Sequence, residues 1–314
     1  MKRTMKYMIL AMLGCLLAAS CILNFSGGVS VVGDCTEEGI DYTEVRELDT
    51  FKAISSSLPC NIYFFQSDKQ EVRVETTEEL APKVLTVVED GTLKLKMEKG
   101  NYPKIILRIV ISAPGIEAIG LHSSGDLRHE GVLDVDNNLD ISASGSGDIQ
   151  MGTIACKDFK AHTSGSGNLS FSRIACDGFS ASASGSGDID IATVAALDGA
   201  SVRLSGSGHA RLNGLMAVNG DMDLSTSGSG DIDLETLTAS GNVSALTRGS
   251  GHIRLRKAIV DGDMDLKASG SGDISVNGSC HDVTASTSGS GDISGDLSHA
   301  GMSVHSSGSG DINL

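Results

Sequence analysis

The sequence predicts an all-β protein: a parallel β-helix, or closely related β-solenoid, with coils of about 20 residues and an irregular N-terminal β region as its cap. Three observations lead there. Gly-Ser-Gly followed by Asp, Asn or His occurs nine times, with first glycines at 145, 165, 185, 206, 228, 249, 270, 289 and 308. The gaps stay between 19 and 22 residues, the length of one coil that cannot bury its apolar face alone. The stretches flanking each copy alternate aliphatic and polar residues with the two-residue period of a strand.

Each coil supplies two strands. One follows the glycines, as in Asp188-Ile189-Asp190-Ile191, and one precedes them, as in Asp221-Met222-Asp223-Leu224. Stacking in register predicts columns of like residues: Ile149, Leu169, Ile189, Ala210, Ile232, Ile253, Ile274, Ile293 and Ile312 on the first strand. On the second the column runs Leu139, Phe159, Phe179, Ala200, Met222, Val243, Met264, Val283 and Met302. Ile154, Ile174, Val194, Leu215 and Leu237 fill the remaining side, and the glycines form the tight corner through positive φ and close backbone approach. A degraded copy, Ser123-Ser124-Gly125-Asp126-Leu127, precedes the array. Upstream, Asn61 to Phe65, Glu71 to Glu75, Leu93 to Met97 and Ile105 to Ile111 read as strands, Asp90-Gly91 as a hairpin turn, and Glu78 to Pro82 as at most a helical turn.

The chain opens with Lys2, Arg3 and Lys6 ahead of an apolar stretch from Met8 to Ala19, the pattern of an export signal and too short to span a bilayer comfortably. It ends in Leu17-Ala18-Ala19-Ser20-Cys21, which resembles a bacterial lipoprotein box with Cys21 as the acylated residue, although Ala18 stands where Leu is commoner. Acylation at Cys15 and an ordinary cleaved signal peptide are the alternatives. The expected organisation is a signal peptide over 1–21, a tether over 22–44, an N-terminal β region over 45–120 continuous with the solenoid, and the repeat β-helix over 121–314. Formal charge is −16, and −19 without the leader's three cations, so nucleic-acid binding is not expected. Export permits disulfides among Cys35, Cys60, Cys156, Cys176 and Cys280. Cys156 and Cys176 share a corner of consecutive coils, but stacked side chains point the same way, which favours thiols over a bond there.

The residue after each Gly-Ser-Gly forms a polar ladder: Asp148, Asn168, Asp188, His209, Asp231, His252, Asp273, Asp292 and Asp311. Like carboxylates about 4.8 Å apart are destabilising, and the interruptions relieve the repulsion. Where His enters, the residue two later becomes Arg, so that consecutive coils read Asp190, Arg211, Asp233, Arg254. These four are expected to form cross-coil ion pairs. No metal or cofactor is expected: the motif recurs once per coil and is interrupted, whereas calcium needs six to eight oxygens. His209 and His252 lie two coils apart, too far to share zinc. Paired carboxylates such as Asp188 and Asp190 recur in several coils, as structural repetition does, and no nucleophile elbow or metalloprotease motif is present, so no catalytic residue is assigned.

Val45-Arg46-Glu47-Leu48-Asp49-Thr50-Phe51-Lys52-Ala53-Ile54, Gly91-Thr92-Leu93-Lys94-Leu95 with the strand to Ile111 and Pro114, and the reiterated Ser-Gly-Ser-Gly-Asp-Ile carry a family likeness. The segment from Val45 to Leu314 resembles the bacterial family described as putative auto-transporter adhesin, head GIN domain. The resemblance implies a β-helical, secreted or envelope-anchored protein of Bacteroides-like bacteria and brings no active-site motif. The expected function is that of a non-enzymatic cell-envelope lipoprotein, an adhesin with an unknown protein or glycan partner, held at the outer membrane through Cys21 and facing the periplasm or the outside. The alternative is a self-assembling structural envelope protein, hence a homo-oligomer; a polysaccharide-active β-helix enzyme is a remote one.

Overall fold

The computed structural model describes residues 34–102 and 104–314. The signal segment with Cys21, and tether residues 22–33, lie outside them. The described chain is a β-solenoid of about nine turns of about 21 residues, in which 26 strands join one sheet wound around one main core and two more form a separate sheet. Coil pairs with coil in parallel register. Ile149 lies opposite Leu169, Leu169 opposite Ile189, and so on through Ala210, Ile232, Ile253, Ile274, Ile293 and Ile312. The Leu139 to Met302 column is likewise continuous.

Alternation drives this arrangement: Ile232, Leu234 and Leu237 in Ile232–Ala239 are buried while Glu235 between them is exposed. The two strands of a coil meet across the core. Phe171 packs edge-on against Phe159 with centroids 5.2 Å apart, and Phe159 stacks on Phe179 of the next coil at 5.9 Å.

The columns do not start at the first Gly-Ser-Gly. Ile109, Ile62 and Leu127 extend the Ile149 column into the N-terminal region. There the axial order departs from the chain order. Ala53–Ser56 lies between Thr92–Met97 and Ala118–Leu121, and Asn61–Gln66 lies between Arg108–Ala113 and Leu127–Asp134. The coil made later in sequence therefore sits outside the earlier one. Its outer edge is closed by antiparallel strands: Glu71–Thr76 pairs with Arg108–Ala113 and with Tyr42–Arg46, and Val84–Glu89 pairs with Thr92–Met97. Antiparallel strands end the stack without a bare parallel edge. Asp90 and Gly91, with φ of 50° and 71°, make the tight turn of that last hairpin, and Ala81–Lys83 is a single 3-10 turn.

Two expectations need correction. Order begins before Val45: Asp34–Thr36 pairs in parallel with Lys104–Ile106, and Tyr42–Arg46 is a strand, because these short alternating runs find open edges in the cap. The corner glycines are needed for room and not for positive φ, since the positive-φ glycines among the described residues are 39, 91, 131, 199, 278 and 295. The carbonyl of Gly165 accepts both Ser186 N–H (2.9 Å) and Gly187 N–H (3.2 Å) of the next coil. A Cβ on Gly185 would stand 2.0 Å from that carbonyl oxygen, and one on Gly187 2.0 Å from the Gly167 oxygen. Inside the corner, Thr163, Thr226 and Thr247 donate their hydroxyls to the carbonyls of Gly167, Gly230 and Gly251 at 2.7–2.8 Å.

Candidate functional site

The polar ladder is a hydrogen-bonded rail. Each of its residues donates its backbone N–H to the side chain of the equivalent residue one coil earlier. Asn168 N–H reaches Asp148 Oδ1 at 2.8 Å, Asp188 N–H reaches Asn168 Oδ1 at 2.9 Å, and His209 N–H reaches Asp188 Oδ1 at 2.8 Å. Asp231 N–H then reaches His209 Nδ1 at 3.2 Å, His252 N–H reaches Asp231 Oδ1 at 2.8 Å, and Asp273 N–H reaches His252 Nδ1 at 2.9 Å. Asp292 and Asp311 complete the row on Asp273 and Asp292, at 2.9 and 2.8 Å. The row also has a rung below Asp148, whose N–H reaches Asp126 Oδ1 at 3.0 Å in the degraded copy.

This explains the interchange of Asp, Asn and His. Each puts an acceptor at the same distance from its backbone, Oδ1 or Nδ1, and the corner leaves an N–H that the strand ladder does not use. At His209 and His252 the acceptor is the ring Nδ1, and that of His252 also lies 3.3 Å from Asp273 Oδ2. The like-charge reading of the sequence missed this acceptor role. The signal was present in the side-chain geometry common to all three residue types.

Arginine clamps the rail at two equivalent places. Arg211 Nη1 lies 2.9 Å from Asp188 Oδ2 and 3.4 Å from Asp190 Oδ1, and Arg254 Nη1 lies 2.9 Å from Asp231 Oδ2 and 3.2 Å from Asp233 Oδ1. Each guanidinium thus reaches back one coil to two carboxylates. Asp233 stands opposite Arg211 in the strand register, yet its carboxylate is engaged by Arg254 on its other side. Asp188 and Asp231 each serve a backbone N–H with one oxygen and an Arg with the other. Burial opposes ionisation of Asp231, but the His252 N–H and Arg254 outweigh it and hold its carboxyl below the ordinary value. For Asp190 and Asp148 burial prevails and raises the carboxyl pKa, in spite of Arg211 at Asp190 and the Asn168 bonds at Asp148. The carboxylates stabilise both guanidiniums in their charged form.

A second, shorter rail runs along the opposite end of the preceding strand. Asn242 N–H reaches Asp221 Oδ1 at 2.7 Å, Asp263 N–H reaches Asn242 Oδ1 at 2.9 Å, and Asp282 N–H reaches Asp263 Oδ1 at 3.2 Å. It borders an open groove lined by Asp221, Asp223, Asp263, Asp265 and Lys267. At its end the ligand atoms of Asp263, His281 and Asp282 lie within 4.8 Å of one another, all on exposed side chains. Three such groups are half of a calcium shell and one short of a structural zinc set, and His281 Nδ1 is already 3.2 Å from Asp263 Oδ1.

At the cap, Glu37 Oε1 accepts from Asn61 (2.7 Å) and Tyr63 (2.9 Å), and its Oε2 lies 3.1 Å from Arg108 Nη1. Arg108 also donates to the buried Glu75 at 2.6 Å. Burial disfavours charge on Glu37, and the three donors more than offset it. Among the described residues no helix is long and apolar enough to cross a membrane.

The family described as putative auto-transporter adhesin, head GIN domain, matches residues 50–232 and 222–314. No curated protein matches the chain. Solved structures share the fold. A putative adhesin from Bacteroides fragilis is 20% identical with a TM-score of 0.53, over 90% of this chain and 99% of that one. A putative lipid binding protein from Parabacteroides distasonis is 22% identical with a TM-score of 0.59, over 89% and 99%. A putative adhesin from Parabacteroides merdae is 16% identical with a TM-score of 0.61, again over 89% and 99%. Because that family's model matches residues 50–232 and 222–314, most of the chain, the chain belongs to the family of putative auto-transporter adhesins with the head GIN domain.

Proposed function

We propose that the protein is a non-enzymatic adhesin of the cell envelope, a lipoprotein anchored through Cys21, whose β-helical body presents an acidic, repetitive surface to a protein partner carrying a basic patch. The observation that carries this reading is the repetition itself. Asp188 with Asp190 and Asp231 with Asp233 recur in alternate coils, each pair held by an Arg from the next coil, and Asp221, Asn242, Asp263 and Asp282 follow one another in successive coils. Such rows suit multivalent contact, whereas a reaction centre is a singular constellation. Opposite charge on the partner speeds encounter and selects orientation. No Trp and four Tyr leave few stacking platforms for sugar rings, which favours protein over glycan. The surface charge also opposes nucleic acid.

The lipid binding named for the Parabacteroides distasonis neighbour is tested alongside. The full chain, purified in detergent, is presented to immobilised host matrix proteins, to a glycan array and to vesicles of neutral and anionic phospholipid, at low and at 0.5 M salt (about a threefold change in screening length). Saturable binding to a basic protein that weakens with salt is expected. Binding to vesicles alone, or to none of the three, contradicts the proposal. Cys21→Ser is expected to release the protein from the membrane fraction, and unchanged retention contradicts the anchor.

A further inference from the structure

Asp34–Thr36 enters the fold beside Lys104–Ile106, with Cys35 opposite Ile105. Cys35 packs on the main core, its thiol 3.6 Å from the Leu107 carbonyl to which it donates. Asn61 pairs with Arg108, which sets the preceding Cys60, 1% exposed, level with that same Leu107, so the two cysteines meet at one place in the cap. Two cysteines 25 positions apart are thus brought beside each other at the point where the chain joins the solenoid.

We propose that Cys35 and Cys60 form a disulfide once the protein is exported, stapling the entry strand to the coil formed by Ala53–Ser56 and Asn61–Gln66. The proposal rests on the envelope reading for its oxidising compartment and on this contact for its partners. The chemistry is thiol–disulfide exchange with an oxidant that is itself a disulfide. The Cys60 hydrogen bond draws the Cys35 thiol below its ordinary pKa, while burial pushes that of Cys60 well up. Cys35 is therefore the thiol that ionises and attacks first. Its thiolate bonds to one sulfur of the oxidant and expels the other as a thiolate. Cys60 then loses its proton, attacks the Cys35 sulfur and expels the second thiolate. Two protein thiols are oxidised and one disulfide is reduced to two thiols.

The bond would strengthen a narrow attachment. The entry strand is held by three residue pairs of a two-stranded sheet and by the Glu37 contacts to Asn61, Tyr63 and Arg108. With the anchor at Cys21, any pull on the body passes through this strand. Cys280, half-buried near Asp263 and Asp282, serves as an internal control.

The full chain is purified reduced in detergent, equilibrated with oxidised glutathione, quenched in acid, unfolded, alkylated and mapped by peptide mass, and the same mapping is applied to protein taken directly from the envelope. A cross-linked Cys35–Cys60 peptide is expected, with Cys280 alkylated. Oxidation is expected to raise the Tm by about 5–10 °C, a gain reversed by dithiothreitol and absent from Cys35→Ser. Cys60→Ser is expected to leave Cys35 as a glutathione mixed disulfide. Alkylation of both Cys35 and Cys60 after oxidation, or pairing of Cys35 with another cysteine, overturns the staple. A bond that forms in glutathione while the cell-derived chain is cytoplasmic and reduced supports the site and overturns the export reading instead.

Discussion

The imidazole Nδ1 of His252 accepts the backbone N–H of Asp273 at 2.9 Å, filling the place that Asp231 Oδ1 fills one coil earlier for His252 itself. A carboxylate and an imidazole are interchangeable there because the rail requires an acceptor, not a charge. Separating those two properties tests the rail.

Asp188→Asn keeps the acceptor for His209 N–H and removes only the charge facing the exposed Arg211. It is expected to cost no more than about 1 kcal/mol. Asp188→Ala removes the acceptor as well and is expected to cost about 1–3 kcal/mol. Denaturant unfolding of the two variants reads the difference. Equal losses would show that charge, not acceptance, holds this rung.

The corner predicts a sharp asymmetry within one tripeptide. Gly187→Ala drives a methyl into the Gly167 carbonyl, which is backbone and cannot move aside, so a loss of about 3 kcal/mol or more, or failure to fold, is expected. Ser186→Ala, between the two glycines, is expected to change stability by less than about 0.5 kcal/mol. Comparable soluble yield and melting for both variants would contradict the packing argument.

Ile232 is fully buried between Ala210 and Ile253. Ile232→Ala is expected to destabilise by about 2–5 kcal/mol, and Ile232→Val by about 0.5–1.5 kcal/mol. A loss below about 1 kcal/mol for the alanine variant would mean that the column is not packed as described.

His129 supplies a pH signature. It is buried against Phe64, burial lowers its pKa below 6.5, and the Nδ1 contact to the Phe64 carbonyl offsets this only in part. The unfolded chain therefore takes up this proton at higher pH than the folded one does. Its contribution to stability is complete above the unfolded pKa and is lost as pH falls from about 6.5 through the folded value. His129→Gln is expected to flatten the slope of stability between about pH 7 and pH 5. An unchanged slope would place the dependence elsewhere.

Much of the array was legible because repetition multiplies weak signals. One Asp-Ile-Asp-Ile is ambiguous, but nine aliphatic positions in register fix which face is buried. The columns from Ile149 and Leu139 follow from period alone. The cap was less readable, because its pairing is not sequential: nothing local in Ala53–Ser56 says that Thr92–Met97 will lie beyond it. Within the site, the pairing of Arg254 with Asp233 lay in the alternation of charges, whereas the bond from His209 N–H to Asp188 could be read only by asking where each corner N–H goes. The contact between Cys35 and Cys60 depends on the cap's out-of-order stacking and left no mark in the cysteine spacing.

The central claim is that successive coils are joined through side-chain acceptors in strict register. It is tested most directly by scalar coupling between nitrogens across a hydrogen bond in the uniformly 15N-labelled protein at neutral pH. The account predicts a correlation from His252 Nδ1 to the Asp273 amide nitrogen and another from His209 Nδ1 to that of Asp231. Correlations to any other amides, or imidazoles bearing their hydrogen on Nδ1, would contradict it.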